Sequence, residues 1–248
     1  MKRIFITGAT SGIGLATAEL LSKQKNKYQL ILNGRRKERL ENIANTLSKY
    51  CNVEIAHFDV RDYSAVKSYF KKYLKDIDVL INNAGLASGR DFIHEADIED
   101  WEKMIDTNVK GLLYVSKEII PRMIKKQSGH IINIGSVAGK EVYAGGAVYC
   151  ATKFAVEAIT QGLRKELLPH KIKVGLVSPG AVNTEFSLVR YKGDAAVADK
   201  VYDGYQPLKA EDIATAIKYS IEAPPHVNIQ DIFVMPEAQA DGVNFRKN

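Results

Sequence analysis

The chain has 248 residues, enough for one large α/β domain or two small ones, and a single fold of that size needs neither metal nor disulfide for stability. Hydrophobic residues make up 46% of the chain and charged residues 26%, the composition of an ordinary globular protein. The formal net charge of +6 does not indicate nucleic-acid binding, because the lysines are scattered along helical segments rather than gathered in one block.

The chain shows no sequence sign of secretion, membrane insertion or metal binding. No run of 18 apolar residues occurs, and no charged-then-apolar leader precedes the first strand-like run. The two cysteines, Cys51 and Cys150, are too few for a disulfide framework and lack zinc-site spacing. We therefore expect a cytoplasmic protein without a metal, in which both cysteines are small buried thiols.

Strand-like and helical patterns alternate along the chain. Strands are predicted at 3–6, 29–32, 53–58, 79–81, 130–134, 173–177 and 229–234, and helices near 12–25, 37–49, 64–74, 98–125, 149–168 and 211–221. The alternation predicts one doubly wound, Rossmann-type α/β domain over residues 1–248, with a seven-stranded, mostly parallel sheet. The stretch 185–208 is too long for a plain connection, and we interpret it as a functional lid.

The first predicted strand leads into a glycine-rich turn with the sequence Thr7-Gly8-Ala9-Thr10-Ser11-Gly12-Ile13-Gly14. Glycines permit a tight turn and let backbone approach a pyrophosphate, while the following helix N-terminus offers unpaired N–H groups to phosphates. Such turns also cap helices for structural reasons alone, but the strand–turn–helix context favours a bound dinucleotide. The expected cofactor contacts are Gly8, Thr10, Ser11, Gly12, Ile13 and Gly14.

The end of the second predicted strand indicates which nicotinamide cofactor binds. A carboxylate there would hydrogen-bond the ribose 2′-OH, but this chain has Arg35 and Arg36 and no acid until Glu38. Arginines form bidentate, charge-assisted bonds to a phosphate. The alternative is that both are solvated residues at the start of a helix. We predict NADP as the cofactor.

Tyr149 and Lys153 are four residues apart on a predicted helix and therefore share one face. A neighbouring ammonium favours the phenolate, which brings the tyrosine pKa toward the range of a working acid or base. Ser136 follows the fifth strand, where its hydroxyl can hold a substrate oxygen beside Tyr149. Asn108 lies inside a helical pattern, where asparagine is unfavourable. YxxxK alone also occurs by chance, and the presence of Ser136 and Asn108 strengthens a catalytic interpretation.

These motifs resemble those of the short-chain dehydrogenase/reductase family, whose first motif is TGxxxGIG and whose catalytic tetrad is Asn, Ser, Tyr and Lys. The resemblance implies a metal-free hydride transfer in which Asn108, Ser136, Tyr149 and Lys153 are catalytic. Ser136 and Tyr149 would bind the substrate, and Tyr149 and Lys153 also the cofactor. The further cofactor contacts that it implies are Asp59 and Val60 at the adenine, Asn83 near the adenosine ribose, and Pro179, Gly180, Val182 and Thr184 beyond the sixth strand.

Four segments of the chain resemble one subgroup of that family, the NADP-dependent serine or L-allo-threonine (3-hydroxy acid) dehydrogenases. The matching segments are 34–40, 100–108, 143–146 and 184–194, of which the last is the most particular. An acid substrate is expected to meet Arg190 or Lys192 there, although a lid arginine is often solvated or at an interface. The nearest alternative is a reductase of 3-oxoacyl thioesters or other small ketones, and a distant one is a catalytically silent NADP-binding regulator.

The predicted helix at 149–168 also indicates assembly. Its apolar residues cover more than one face, so both sides need a cover, of which the sheet supplies one. The family resemblance implies a homotetramer with this helix and its predecessor at the main interface. The expected partners are therefore a small-molecule substrate and further copies of the chain.

Overall fold

The computed structural model describes residues 1–73 and 75–247, and its elements alternate in the predicted order. The strands are β1 (Lys2–Ile6), β2 (Tyr28–Gly34), β3 (Val53–His57), β4 (Val79–Asn82), β5 (Gly129–Ile134), β6 (Ile172–Pro179), β7 (Val182–Asn183), β8 (Leu208–Lys209) and β9 (Asp231–Val234). The helices are α1 (Gly12–Ser22), α2 (Lys37–Leu47), α3 (Tyr63–Lys72), α4 (Ile98–Ile105), α5 (Leu112–Lys126), α6 (Ala147–Leu167), α7 (Glu185–Arg190), α8 (Ala195–Lys200) and α9 (Ala210–Glu222).

Seven strands form one sheet in the order β3-β2-β1-β4-β5-β6-β9, and every neighbouring pair is parallel. The register at the centre places Ile6 of β1 opposite Leu32 of β2 and Ile81 of β4. The strand order reverses between β1 and β4, and doubly wound sheets bind ligands at that switch, outside the carboxyl ends of the strands. The predicted α/β fold with seven strands is confirmed, and this sheet is parallel throughout.

Alternate residues of the sheet supply two apolar layers. On β1, Ile6 packs with Leu21 of α1 and Ile217 of α9, whereas Phe5 packs with Phe70 of α3 on the opposite face. All five side chains are almost fully buried. This packing fixes the strands from both sides, so the loops at their carboxyl ends are held by a rigid support.

The long helix predicted at 98–125 is interrupted. A π-helical turn at Asp106–Gly111 joins α4 to α5, and it turns the side chain of Asn108 toward the backbone of Leu86. At Gly111 a β-carbon would lie 2.7 Å from Cγ2 of Val60, so only glycine allows this approach. The apolar periodicity continues across the turn, which is why the sequence pattern did not reveal it.

Other predicted bounds differ from the structure by a few residues. The predicted strands at 29–32 and 173–177 extend to Gly34 and Pro179, which lengthens both toward the ligand-binding edge. The helix predicted at 64–74 ends at Lys72, and Leu74 lies outside the described residues. Three more helices end earlier than predicted, at Ser22, Leu47 and Leu167.

The lid segment, residues 185–208, contains the two short helices α7 and α8, which the sequence did not predict. Thr184 caps α7 by accepting a hydrogen bond from the Phe186 N–H, and Asp194 caps α8 by accepting one from Val197. The ends of the segment are brought together because β7 pairs in parallel with β8. The lid segment is therefore a folded element.

Within residues 1–73 and 75–247, no helix is both long and apolar enough to cross a membrane. The same residues contain no cluster of three His, Cys, Asp or Glu side chains placed to hold a metal. Cys150 is buried as predicted, whereas Cys51 is only half-buried, and neither forms a disulfide.

Candidate active site

A cleft of about 340 Å³ opens at the carboxyl ends of the strands, within the range typical of small-molecule sites. It brings together most residues that the sequence predicted as functional. Those that line it are Gly8, Thr10, Ser11, Gly12, Ile13, Arg35, Arg36, Asp59, Val60, Asn83, Ser136, Tyr149, Lys153, Pro179, Gly180, Val182 and Thr184. Four predicted residues are not part of this lining: Gly14, Asn108, Arg190 and Lys192.

The glycine-rich turn forms one end of the cleft. Gly8 and Gly12 have positive φ angles of 64° and 53°, a conformation that side chains rarely adopt. Gly14 does not line the cleft but packs against the turn, where a β-carbon would lie 2.5 Å from the carbonyl oxygen of Gly8. Asn83 secures the turn by donating from Nδ2 to the carbonyl oxygens of Thr7 (2.8 Å) and Gly8 (3.1 Å). The turn and the α1 N-terminus therefore form this end of the cleft, where unpaired helix N–H groups suit a pyrophosphate.

Two arginines stand at the end of β2, at the outer corner of the cleft. Arg35 is exposed, and its Nη1 is 3.7 Å from Oδ2 of Asp59. Burial raises the pKa of Asp59, but hydrogen bonds from Arg61 outweigh it and hold that pKa below its usual value. Arg36 donates from Nη2 to the hydroxyls of Thr10 (3.0 Å) and Ser11 (3.3 Å). The guanidinium of Arg36 is thus held at the glycine-rich turn, and that of Arg35 lies near Asp59.

Sequence reasoning missed one charged residue at this corner. Glu185, the first residue of α7, lines the cleft and lies 3.4 Å from Nη1 of Arg36. It also pairs with Arg39 at 2.5 Å. The sequence predicts no acid near the arginines, because Glu185 is 149 positions from Arg36 and only the folded lid segment brings them together.

Tyr149 and Lys153 lie on the cleft-facing side of α6, and both are buried. The Lys153 Nζ donates to the carbonyl oxygen of Ile134 at 2.9 Å. Burial lowers the pKa of Lys153 to about 8. Burial and the nearby Tyr143 raise the pKa of Tyr149, while a hydrogen bond with Ser136 and the charge of Arg190 oppose that rise. The protein alone therefore favours the neutral phenol, and further positive charge in the cleft is needed to favour the phenolate.

Asn108 is placed beside this pair without lining the cleft. Its Oδ1 accepts from the Leu86 N–H at 2.8 Å, and its Nδ2 donates to the Leu86 carbonyl (2.8 Å) and to the Thr152 hydroxyl (3.0 Å). A β-carbon at Gly85 would lie 3.3 Å from Oδ1 of Asn108 and 3.6 Å from Nζ of Lys153. Both donors of the amide are used, and Oδ1 keeps one acceptor position on the side of Lys153.

The two lid cations have different surroundings. Arg190 has its guanidinium carbon 5.6 Å from the Tyr149 ring centre and donates from Nη1 to the Tyr143 hydroxyl at 3.1 Å. Its Nη2 is buried and has no hydrogen-bond partner. Lys192 is exposed, and its Nζ lies 2.7 Å from Oδ2 of the buried Asp100. Of the two, the structure brings Arg190 to Tyr149.

Sequence reasoning did not identify the aromatic neighbours of Tyr149 as part of the site. The Phe186 ring on α7 lies 5.7 Å from the Tyr149 ring and lines the cleft. The Tyr143 ring packs so closely on Gly146 that a β-carbon there would lie 2.1 Å from it. The contact between Phe186 and Tyr149 has no local signal, since it joins α7 to α6, whereas Tyr143 and Gly146 lie three residues apart in the loop before α6.

The buried ammonium of Lys153 has a consequence for stability. Its folded pKa of about 8 lies below the usual 10.5, so the unfolded chain binds more protons between these pH values and stability rises with pH there. We expect Lys153→Met to raise the free energy of unfolding at neutral pH by about 1–2 kcal/mol, with a smaller gain near pH 10. Urea unfolding at both pH values measures it. Lys165→Met, on an exposed position of α6, is the control and should show no pH-dependent gain.

The fold and the cleft define a dinucleotide-binding oxidoreductase, and the comparisons with known proteins specify its family. The model of the short chain dehydrogenase family matches residues 2–193. The chain therefore belongs to the short-chain dehydrogenase family, which confirms the predicted family and class of enzyme.

Several relatives resemble the chain over almost its full length. The NADP-dependent 3-hydroxy acid dehydrogenase YdfG of Salmonella typhi is 43% identical, with 96% of each chain covered. Sulfoacetaldehyde reductase 2 of Chromohalobacter salexigens is also 43% identical, with 96% of this chain and 95% of the relative covered. Among solved structures, the closed form of serine dehydrogenase complexed with NADP⁺ has a TM-score of 0.93 at 41% identity, with 99% of this chain and 100% of that chain covered.

Proposed function

We propose that the protein is an NADP-dependent oxidoreductase that transfers a hydride between NADP and a small 3-hydroxy acid such as serine or L-allo-threonine. The observation that carries this proposal is the buried Nη2 of Arg190, which lacks a partner beside Tyr149. A substrate carboxylate would supply that partner and place the hydroxyl carbon near Tyr149. The names of the relatives, which act on 3-hydroxy acids, serine or sulfoacetaldehyde, support an anionic substrate.

The shape and donors of the cleft fit NADP. The glycine-rich turn leaves backbone N–H groups for the pyrophosphate, and Arg35 and Arg36 would hold the 2′-phosphate. Asp59 and Val60 would contact the adenine, and Asn83 the adenosine ribose. Pro179, Gly180, Val182 and Thr184 line the end that would hold the nicotinamide. NADP, when bound, accepts or supplies the hydride, which no side chain can do.

The remaining groups move and direct the proton. Ser136 orients the substrate hydroxyl or carbonyl, and Tyr149 takes or gives the proton at that oxygen. Lys153 binds the nicotinamide ribose and favours the phenolate of Tyr149. Asn108 is a positioning residue: it fixes the loop at Leu86, and the remaining acceptor position of Oδ1 suits a water on a proton path from Lys153.

The nearest alternative, reduction of 3-oxoacyl thioesters, uses the same cofactor groups but gives Arg190 no anion to bind. Serine and L-allo-threonine would be oxidised with NADP, whereas a short 3-oxoacyl thioester would be reduced in the reverse direction. We expect kcat/KM to be higher for the two hydroxy acids than for the thioester, after correction for the reaction equilibrium. Nicotinamide absorbance measures both. Preferred turnover of the thioester would support the alternative, and NADP binding without turnover of any compound would indicate a silent regulator.

The arginines predict a preference between the two nicotinamide cofactors. We expect kcat/KM with NADP to exceed that with NAD by at least about tenfold, or 1.4 kcal/mol, since each arginine adds a charge-assisted bond to the 2′-phosphate. Arg35→Asp should abolish or invert this preference, because a carboxylate repels the phosphate and accepts from a free 2′-OH. Lys37→Asp makes the same charge change two residues away, outside the cleft lining, and is the control. Equal use of both cofactors by the unchanged protein would contradict the assignment.

Three further proposals concern the whole chain. Residues 1–248 form one unit that both binds NADP and carries out catalysis, because the cleft draws on residues from Gly8 to Val189. The protein is cytoplasmic, which the two unpaired thiols support.

It is a homotetramer in which α5 and α6 form the main interface, supported by the exposed apolar side chains of Leu113 and Phe154 on these helices. Light scattering should give four times the chain mass.

A further inference from the structure

A cluster of ion pairs connects the arginine corner of the cleft to the lid segment. Arg39 donates to both carboxylate oxygens of Glu185, at 2.5 Å and 3.4 Å. Arg36 donates from Nη1 to Oε2 of the same carboxylate at 3.4 Å. Arg36 and Glu185 line the cleft, whereas Arg39 does not. A carboxylate thus stands where the proposed cofactor site expects the 2′-phosphate.

We propose that Glu185 is a specificity-determining residue that competes with the 2′-phosphate of NADP for Arg36, and that Arg39 limits this competition. The inference rests on the proposed cofactor site, in which Arg36 binds that phosphate. In this proposal, the acid on the lid segment weakens NADP binding and leaves NAD binding unchanged.

Each part of the cluster has a definite electrostatic role. The hydrogen bond to Arg39 holds the pKa of Glu185 below its usual value, so the group is an anion at neutral pH. The hydroxyls of Thr10 and Ser11 hold Nη2 of Arg36, which leaves Nη1 to face either the carboxylate or a phosphate. Two anions that share one guanidinium repel each other, and partial burial strengthens that repulsion.

Arg39 keeps the competition incomplete. Its two bonds hold both oxygens of the carboxylate, in the paired geometry that arginine and carboxylate prefer, so Arg36 shares this anion rather than neutralising it alone. Without Arg39, Arg36 becomes the remaining arginine partner of Glu185, and the phosphate then meets stronger competition. NAD has no 2′-phosphate, so its binding leaves the contact between Glu185 and Arg36 in place.

Calorimetric titration with NADP and NAD tests the proposal without turnover. Glu185→Gln should lower the Kd for NADP about three- to tenfold and change the Kd for NAD by less than about twofold. Arg39→Met should weaken NADP binding. Glu185→Gln should then lower the Kd for NADP by a larger factor in the Arg39→Met variant than in the unaltered protein. Glu41→Gln removes the same charge from an α2 residue outside the cleft lining and should change neither Kd.

The outcomes separate this inference from the proposed function. Arg36→Gln should weaken NADP binding and spare NAD, and if it spares both, the proposed cofactor corner is wrong. If Arg36→Gln behaves as expected while Glu185→Gln leaves NADP binding unchanged or weaker, the competition is wrong and the cofactor site stands. Additive effects of Arg39→Met and Glu185→Gln would likewise contradict the role of Arg39.

Discussion

Replacing Tyr149 by Phe is expected to lower kcat/KM by at least about 10²–10⁴, the usual contribution of a positioned acid or base. The change removes only the hydroxyl that moves the proton at the substrate oxygen. The buried ring keeps its contacts with Phe186 and Arg190, so folding and NADP affinity should be nearly unchanged. Steady-state kinetics and calorimetric NADP titration on the same preparation measure both.

Tyr114→Phe is the matched control for this experiment. Tyr114 lies on α5, where its ring packs against Tyr63, and it does not line the cleft. Its loss of a hydroxyl should leave turnover unchanged. Near-normal turnover in Tyr149→Phe would overturn the proposed proton transfer, and loss of NADP binding in the same variant would show that the ring itself had moved.

The second large effect is expected at Arg190. Arg190→Met should raise KM for 3-hydroxy acids about ten- to a hundredfold, because a charge-assisted bond is worth about 1.5–3 kcal/mol. Methyl esters of the same compounds keep the hydroxyl carbon but lose the charge, so their KM should change much less. The ratio of the two KM values therefore measures recognition of the carboxylate separately from any general disturbance of the lid segment.

Lys192→Met provides the comparison within the same segment. Lys192 pairs with Asp100 and is exposed, so its loss can loosen the lid segment without removing a contact to the substrate. We expect acids and esters to be affected equally. A selective loss of acid turnover in Lys192→Met, with Arg190→Met unselective, would transfer the proposed role from Arg190 to Lys192.

The glycine-rich turn and the seven strands could be predicted because their signals are local. Gly8 and Gly12 lie within a few residues of the end of β1, and each buried strand is a short apolar run bounded by helical patterns. Tyr149 and Lys153 were predicted to share a helix face because four residues make about one turn. Such features depend on residues that are close in the sequence, so they can be predicted from one sequence.

The rest of the site depends on contacts between distant parts of the chain. The π-helical turn around Asn108 is favoured by bonds to Leu86 and Thr152 and by the close approach of Gly111 to Val60, and no periodicity encodes these contacts. The helices of the lid segment are too short for a clear pattern. Glu185 also has no local signal, because it is 149 positions from Arg36 and 146 from Arg39 in the sequence.

The central claim is that the substrate of this short-chain dehydrogenase is a small 3-hydroxy acid recognised by its charge. The most direct measurement is kcat/KM of the unchanged protein with NADP for L-allo-threonine and for its methyl ester. A single charge-assisted bond to Arg190 predicts that the acid is preferred about ten- to a hundredfold. Equal values for acid and ester, together with faster turnover of a 3-oxoacyl thioester than of either, would contradict the account.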